Sequence, residues 1–377
     1  MSSGEGRRFL ILAPVWGEPY LKLFLDYALP SQLSPGNLGG IGSKEGIRYW
    51  VLTSAEFSDR IRQDPAFRRL AGMMEAKVVI PPGVQFDHPE HYRSFSACYA
   101  HGMAEAVRQG AACLFITADQ VWADGSLTYI LSLAQSGKRV VMVGGPRLDS
   151  STAMPEMGDW LAQGGLTRRR AVKLALDHLH PWDRSLIRDA ENRGRPASFM
   201  YWPVEGEGLV MRCLHLHPVL VGPVDRYPEI PLTIDRGDFV VRCCPHIEDL
   251  GVVTDSDQAM FFSLAPPEQS CEFLDQEILD EKRTIGWART LGLNQYNLWY
   301  FSQPIRLHLG EMSPRWEKVE SASARLASKL QEDMSRSGRM AFYRLLNSMY
   351  NFRGLGPHLS KRRRLFSMLK RAAGIRW

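Results

Sequence analysis

Along the first 145 residues, short continuous apolar runs alternate with segments whose apolar positions recur at helical spacing. Arg8-Phe-Leu-Ile-Leu-Ala-Pro-Val15 is the kind of run that forms a strand buried on both faces. Leu21, Phe24, Leu25, Ala28 and Leu29 then fall on one helical face, ended by Pro30 and the turn Ser34-Pro-Gly-Asn37. The alternation continues with a strand at Ile47–Thr53, a helix over 58–74, a strand at Ala76–Ile80 and a helix over 94–108. A strand at Ala112–Thr117, a helix over 125–136 and a strand at Arg139–Val143 follow. Repeated β-α units joined by right-handed crossovers build an open, mostly parallel α/β sheet flanked by helices.

After Gly144-Gly145 the rhythm changes. A helix is expected over 166–179, then short strands at Gly208–Leu214, Phe239–Cys243 and Gly251–Thr254, broken by Pro218, Pro223, Pro228 and Pro231. A long helix over 314–335 completes the reading, and Asp255-Ser-Asp257 can equally be the N-cap of a helix over 258–264. The chain divides into an α/β half (1–150), a mixed second unit (151–275) and a helical C-terminal region (276–377).

In open α/β sheets ligands bind beyond the carboxyl ends of the strands. The residues that follow each strand are therefore the first candidates: Pro14 to Glu18, Thr53 to Glu56, Asp119, and Gly144 to Arg147. Within 100–127 a small-residue helix leads through Gly110 to an apolar strand, then to Thr117-Ala-Asp119 and a helix opened by Ser126-Leu127. This segment, with Ala13-Pro-Val-Trp-Gly-Glu18 and Leu29-Pro-Ser-Gln-Leu33, resembles the nucleotide-sugar-binding half of GT-A glycosyltransferases, particularly family-2-like members, over about residues 8–145.

The resemblance implies a nucleotide-sugar donor, with Pro14, Trp16, Glu18, Thr53, Asp119 and Arg147 around it, and a divalent cation, manganese or magnesium, at Asp119. A carboxylate at a strand end can hold a cation that neutralises a departing nucleoside diphosphate. Where the family has two acids separated by one residue, this chain has Thr117-Ala118-Asp119, a single acid. Asp124 has the position of an N-cap, and Glu18 and Glu56 can equally open helices.

A second informative stretch is Glu205 to Pro218. On a strand, His215 and His217 would share a face as metal-binding pairs do, and they are candidate further metal ligands. The base that deprotonates an acceptor hydroxyl in an inverting transfer is a carboxylate, and Asp255 and Asp257 are the candidates for that catalytic role. Arg93, Arg147 and Arg168 to Arg170 offer guanidinium groups for phosphate.

Composition refines the picture at one end. The net charge of +5 comes from Lys361–Trp377, which holds seven basic residues and no acid, leaving the rest at −2 and arguing against general nucleic-acid binding. That tail carries Leu365, Met368, Leu369 and Ala372 on one stripe, a pattern suited to an anionic membrane surface near a glycan or lipid-linked acceptor. No apolar run reaches the roughly 18 residues of a membrane span, so the expected location is cytoplasmic, peripheral on the inner face of the membrane. The six cysteines lack CxxC spacing and read as reduced core thiols. Two other classes compete: a metal-dependent hydrolase gathering His215, His217, His246, Asp255 and Asp257 on one ion, and an inactive interaction protein working through its basic tail.

Overall fold

The computed structural model describes residues 7–41, 44–88, 90–162, 165–188, 196–230, 233–235, 238–270, 280–291 and 293–336. The basic segment 361–377 and Cys271 lie outside these residues.

The first half runs β1 (Phe9–Pro14), α1 (Glu18–Leu23), α2 (Leu29–Gln32), β2 (Ile47–Leu52), α3 (Ala55–Gln63), α4 (Pro65–Met73), β3 (Glu75–Val79), α5 (His91–Gln109), β4 (Ala112–Phe115), β5 (Gln120–Trp122), α6 (Ser126–Gln135), β6 (Val140–Val143) and β7 (Arg147–Asp149). The second half continues with α7 (Ser150–Ala162), α8 (Arg168–Asp177), α9 (Pro181–Arg184), β8 (Phe199–Val204), β9 (Gly208–Cys213), β10 (His217–Val221), α10 (Phe239–Cys243), β11 (Leu250–Val252) and β12 (Phe261–Ala265). It ends with α11 (Glu281–Ala288), α12 (Gln295–Ser302), β13 (Ile305–His308) and α13 (Arg315–Arg336).

Seven strands form the central sheet in the order β11-β6-β10-β4-β1-β2-β3. Every neighbouring pair is parallel except those of β10, which runs antiparallel to both β4 and β6. β1, the central parallel strand, is buried along its whole length, which explains its unbroken apolar run. Small residues on α5 let it lie close to the sheet: a Cβ added at Gly102 would stand 2.3 Å from Leu12. Two three-stranded sheets complete the fold, β5-β12-β7 beside the ends of β4 and β6, and β13-β9-β8 against α12 and α13.

The region expected as one helix over 58–74 is two, because Asp64 caps the second through the Ala66 N–H and Pro65 occupies its first turn. Phe239–Cys243 is a short helix rather than a strand; its apolar run fits either state, and Phe239 is used to pack edge-on to Phe115, ring centroids 6.3 Å apart. Phe261–Ala265 is a strand rather than part of a helix, because it fills the place between β5 and β7. Asp124 does not cap α6, whose N-cap is Gly125; its carboxylate instead accepts from the Ser34 hydroxyl (2.5 Å) and the Gly36 N–H (2.6 Å). Strands β10 and β11 of the central sheet both come from beyond residue 150.

The β13-β9-β8 sheet carries a buried cation on β9. Arg212 is 2% exposed and donates to the Ser323 hydroxyl (2.7 Å) and to the carbonyls of Phe301, Ser302 and Glu320. Cys98, Cys113, Cys213, Cys243 and Cys244 are buried free thiols, as expected. Among the described residues no helix is long and apolar enough to cross a membrane.

Candidate functional site

β4 is followed by a tight turn, Thr117 to Gln120, which projects one carboxylate from the carboxyl edge of the sheet. The Thr117 hydroxyl donates to Asp119 Oδ1 at 2.5 Å, and the Gln120 side chain accepts from the Thr117 N–H at 3.1 Å. The Leu264 N–H donates to the Asp119 carbonyl, so β12 clamps the turn from below. Burial pushes the Asp119 carboxyl above the ordinary aspartate value, opposed by hydrogen bonds from Thr117 and Ser263 and by the charge of Arg147.

Because β10 is reversed, its first residue stands level with the last residues of its parallel neighbours. His217 pairs with Val143 at the end of β6, and its ring Nε2 bonds the carbonyl of Phe115 at the end of β4, 3.1 Å away. A carbonyl only accepts, so Nε2 carries the proton and Nδ1 is the free ring nitrogen. Burial lowers the His217 pKa, while Asp235, the Phe115 carbonyl and Asp119 act to raise it. His215 precedes the strand, with Nδ1 hydrogen-bonded to the Ser198 hydroxyl at 2.9 Å.

Past β6, Gly144 and Gly145 let the chain pass close to β12: a Cβ at Gly145 would stand 2.2 Å from the Phe261 carbonyl. Arg147 follows. Its Nε donates to Asp183 Oδ2 (3.1 Å) and its backbone N–H to Asp183 Oδ1 (3.3 Å), which also accepts from the Tyr201 phenol (2.7 Å). Asp183 is 3% exposed and thus fully engaged, and Arg147 is held by one side of its guanidinium.

These side chains surround one cavity of about 390 Å³, to which Asp119, Arg147, Asp183, His215, His217 and Asp235 contribute the ionisable groups. Tyr20, Phe95, Trp182, Phe199 and Phe261 supply aromatic wall. It opens beyond the carboxyl ends of β4 and β6, the edge at which α/β sheets accept ligands.

Other candidates sit elsewhere. Pro14 is buried at the end of β1, and Trp16 packs on Phe86 and Phe95, the latter a cavity residue. Glu18 is exposed and paired with Arg60, Nη2 to Oε1 2.9 Å. Thr53 is fully buried and its hydroxyl has no hydrogen-bond partner. Arg93 pairs with Glu90, Arg169 with Asp257, and Arg170 lies over the Trp160 ring. Of the arginines proposed for phosphate, Arg147 alone lines the cavity among the described residues.

Asp255 and Asp257 are outside that cavity. Asp255 Oδ1 is 2.9 Å from His308 Nε2, and Asp257 Oδ2 is 3.9 Å from the same nitrogen. His308 Nδ1 bonds the Gly310 carbonyl at 2.6 Å. Among the described residues, these three are the group whose possible ligand atoms all lie within 4.8 Å of one another. Asp119, His215 and His217 share a cavity without being gathered this closely, and His246 lines a different one beside α12. The five-residue convergence of the hydrolase reading is therefore not formed.

Sequence reasoning missed Asp183 and gave Asp235 no role. Asp183 lies within an irregular Pro- and Trp-rich stretch, and Asp235 in a loop after Pro231; neither belongs to a periodic pattern.

No family model and no curated protein matches the chain. Among solved structures it is similar to the mannosyltransferase PcManGT from Pyrobaculum calidifontis, solved in complex with GDP-Man and Mn2+, at 12% identity and a TM-score of 0.34 over 98% of this chain and 85% of that one. It is similar to TarS of S. aureus at 7% identity and 0.32, covering 87% of this chain and 43% of that one. A mannose-1-phosphate geranyltransferase from Thermus thermophilus is similar at 13% identity and 0.25, covering 58% and 50%.

Proposed function

We propose that the chain transfers a sugar from a nucleotide-sugar donor to a glycan or lipid-linked acceptor, with the donor diphosphate in the Asp119 cavity. The observation that carries this reading is the placement of Asp119 and Arg147 on one cavity at the carboxyl ends of β4 and β6. A diphosphate there meets a guanidinium whose Nε is already tied to Asp183, leaving its terminal nitrogens for phosphate oxygens. The aromatic walls suit a base or a sugar face, and their burial strengthens each polar contact.

The donor set also fits a divalent cation that arrives with the diphosphate. Magnesium in such sites takes one or two carboxylates and fills its remaining positions with phosphate oxygens and water, so one acid and an ungathered surround suffice. Asp119 would hold it, and the ion would supply charge neutralisation of the leaving diphosphate. The basic stripe 361–377 is proposed to hold the enzyme at an anionic membrane, and sedimentation with phosphatidylglycerol vesicles tests that part.

A thermal-shift screen of UDP, GDP, CDP and ADP, each with and without manganese, tests the proposal. At least one should raise the melting temperature of the wild type and fail to raise that of Arg147→Ala. Indifference to all of them would remove the transferase reading.

One observation favours a second reading, that of a metal-dependent hydrolase: the cluster of Asp255, Asp257 and the buried His308, whose Nδ1 bond to Gly310 would orient Nε2 toward an ion. Stoichiometric zinc or manganese that is lost in Asp255→Asn, in a protein indifferent to nucleotides, would favour it.

A further inference from the structure

Three carboxylates line the Asp119 cavity, and their hydrogen bonds separate them. Asp183 is saturated: Tyr201 and two Arg147 N–H groups occupy its oxygens. Asp119 is fixed by the Thr117 hydroxyl at the strand end, where the diphosphate is placed. Asp235 differs from both. It is half-buried, it lines the cavity together with His215 and His217, and among the described residues its carboxylate accepts no hydrogen bond. Of the two imidazoles, His217 is committed through Nε2 to the Phe115 carbonyl and His215 through Nδ1 to Ser198.

We infer that Asp235 is the catalytic base of the transfer, a role that rests on the donor reading above. The acceptor hydroxyl oxygen attacks the anomeric carbon and forms the new C–O bond. The bond from that carbon to the diphosphate oxygen breaks, its electron pair leaving with the diphosphate. The hydroxyl proton passes to a free Asp235 oxygen, and attack from the face opposite the diphosphate inverts the anomeric centre. A carboxylate that accepts no hydrogen bond among the described residues suits this step, since a base must present a lone pair to the hydroxyl it deprotonates. Water can stand in for the acceptor, which gives an assay that needs no knowledge of the natural one.

The experiment follows nucleoside diphosphate release from UDP-glucose, UDP-N-acetylglucosamine and GDP-mannose with manganese, using full-length wild type, Asp235→Asn and Asp235→Glu. Proton NMR reads the anomer of the first sugar released, and calorimetry reads diphosphate affinity. Asp235→Asn should lower kcat by about 10²- to 10⁴-fold. Its KM and its diphosphate affinity should stay within twofold of wild type, Asp235→Glu should recover part of the rate, and the released sugar should be inverted. Full turnover in Asp235→Asn, loss of diphosphate affinity in parallel with rate, or release of the retained anomer would each overturn the assignment while leaving the donor reading intact. A wild type that neither binds a diphosphate nor consumes any donor overturns both.

Discussion

Asp119 sits where burial and function pull against each other. Its carboxyl is raised chiefly by burial, so the native state holds that proton more tightly than the unfolded chain does. The sign of the linkage follows: stability falls as pH rises through the window above the ordinary aspartate value. Asp119→Asn should therefore raise the melting temperature at pH 7 while abolishing donor turnover, and the gain should shrink as the pH is lowered into the acid range. A variant less stable than wild type at pH 7 would contradict this account of the turn. Arg147 is a second case. Charge-assisted hydrogen bonds contribute about 1.5–3 kcal/mol each, so Arg147→Ala should weaken nucleoside diphosphate binding by roughly 10- to 150-fold. Asp183→Asn, which loosens the guanidinium without removing it, should weaken it less.

Elements bring these residues together by two devices. One is the reversal of β10, which delivers His217 to the carboxyl edge of a sheet whose other strands run the opposite way. The other is the close pass of Gly145 over β12, where an added methyl would meet a backbone carbonyl that cannot yield cheaply. Gly145→Ala should destabilise the fold by about 1–3 kcal/mol, read as a shift in the urea midpoint, and should lower diphosphate affinity as the β6–β7 turn moves. Arg212→Met, which strips a buried donor from the Ser323 hydroxyl and from the carbonyls of Phe301, Ser302 and Glu320, should cost at least about 2 kcal/mol with diphosphate affinity unchanged. Strands β1, β2, β4 and β6 are legible in the sequence because each is a mainly apolar run bounded by turn signals, and β3 is legible from Val78, Val79 and Ile80 before Pro81-Pro82-Gly83. β5 has three residues and β13 alternates apolar and polar over only four, too little to mark a strand, and β10 is set by partners far away in sequence. Phe261–Ala265 shows the same limit, since a five-residue apolar run fits helix or strand until its neighbours are known.

For the whole molecule, the half that resembles a nucleotide-sugar-binding unit is not self-sufficient. β10 lies between β4 and β6, and β11 covers the outer edge of β6, so removing the second half opens the sheet in its middle. A fragment of residues 1–150 should show no cooperative thermal transition and should associate through its unpaired edges; a monomeric fragment that melts cooperatively would contradict this. The same geometry explains which parts of the site the sequence displays. Asp119 and Arg147 follow strands of the first half, and the strand-end rule finds them. His217 stands out through its spacing with His215, while Asp183 and Asp235 reach the cavity from irregular segments that only the folded chain brings there.

The claim on which the rest stands is that a nucleoside diphosphate lies against Asp119 and Arg147, and isothermal titration calorimetry of UDP and GDP with manganese tests it most directly. The wild type should bind at least one of them, and Asp119→Asn and Arg147→Ala should each weaken that binding at least tenfold while remaining folded. Binding of equal strength in wild type and both variants would place the nucleotide elsewhere and contradict the account.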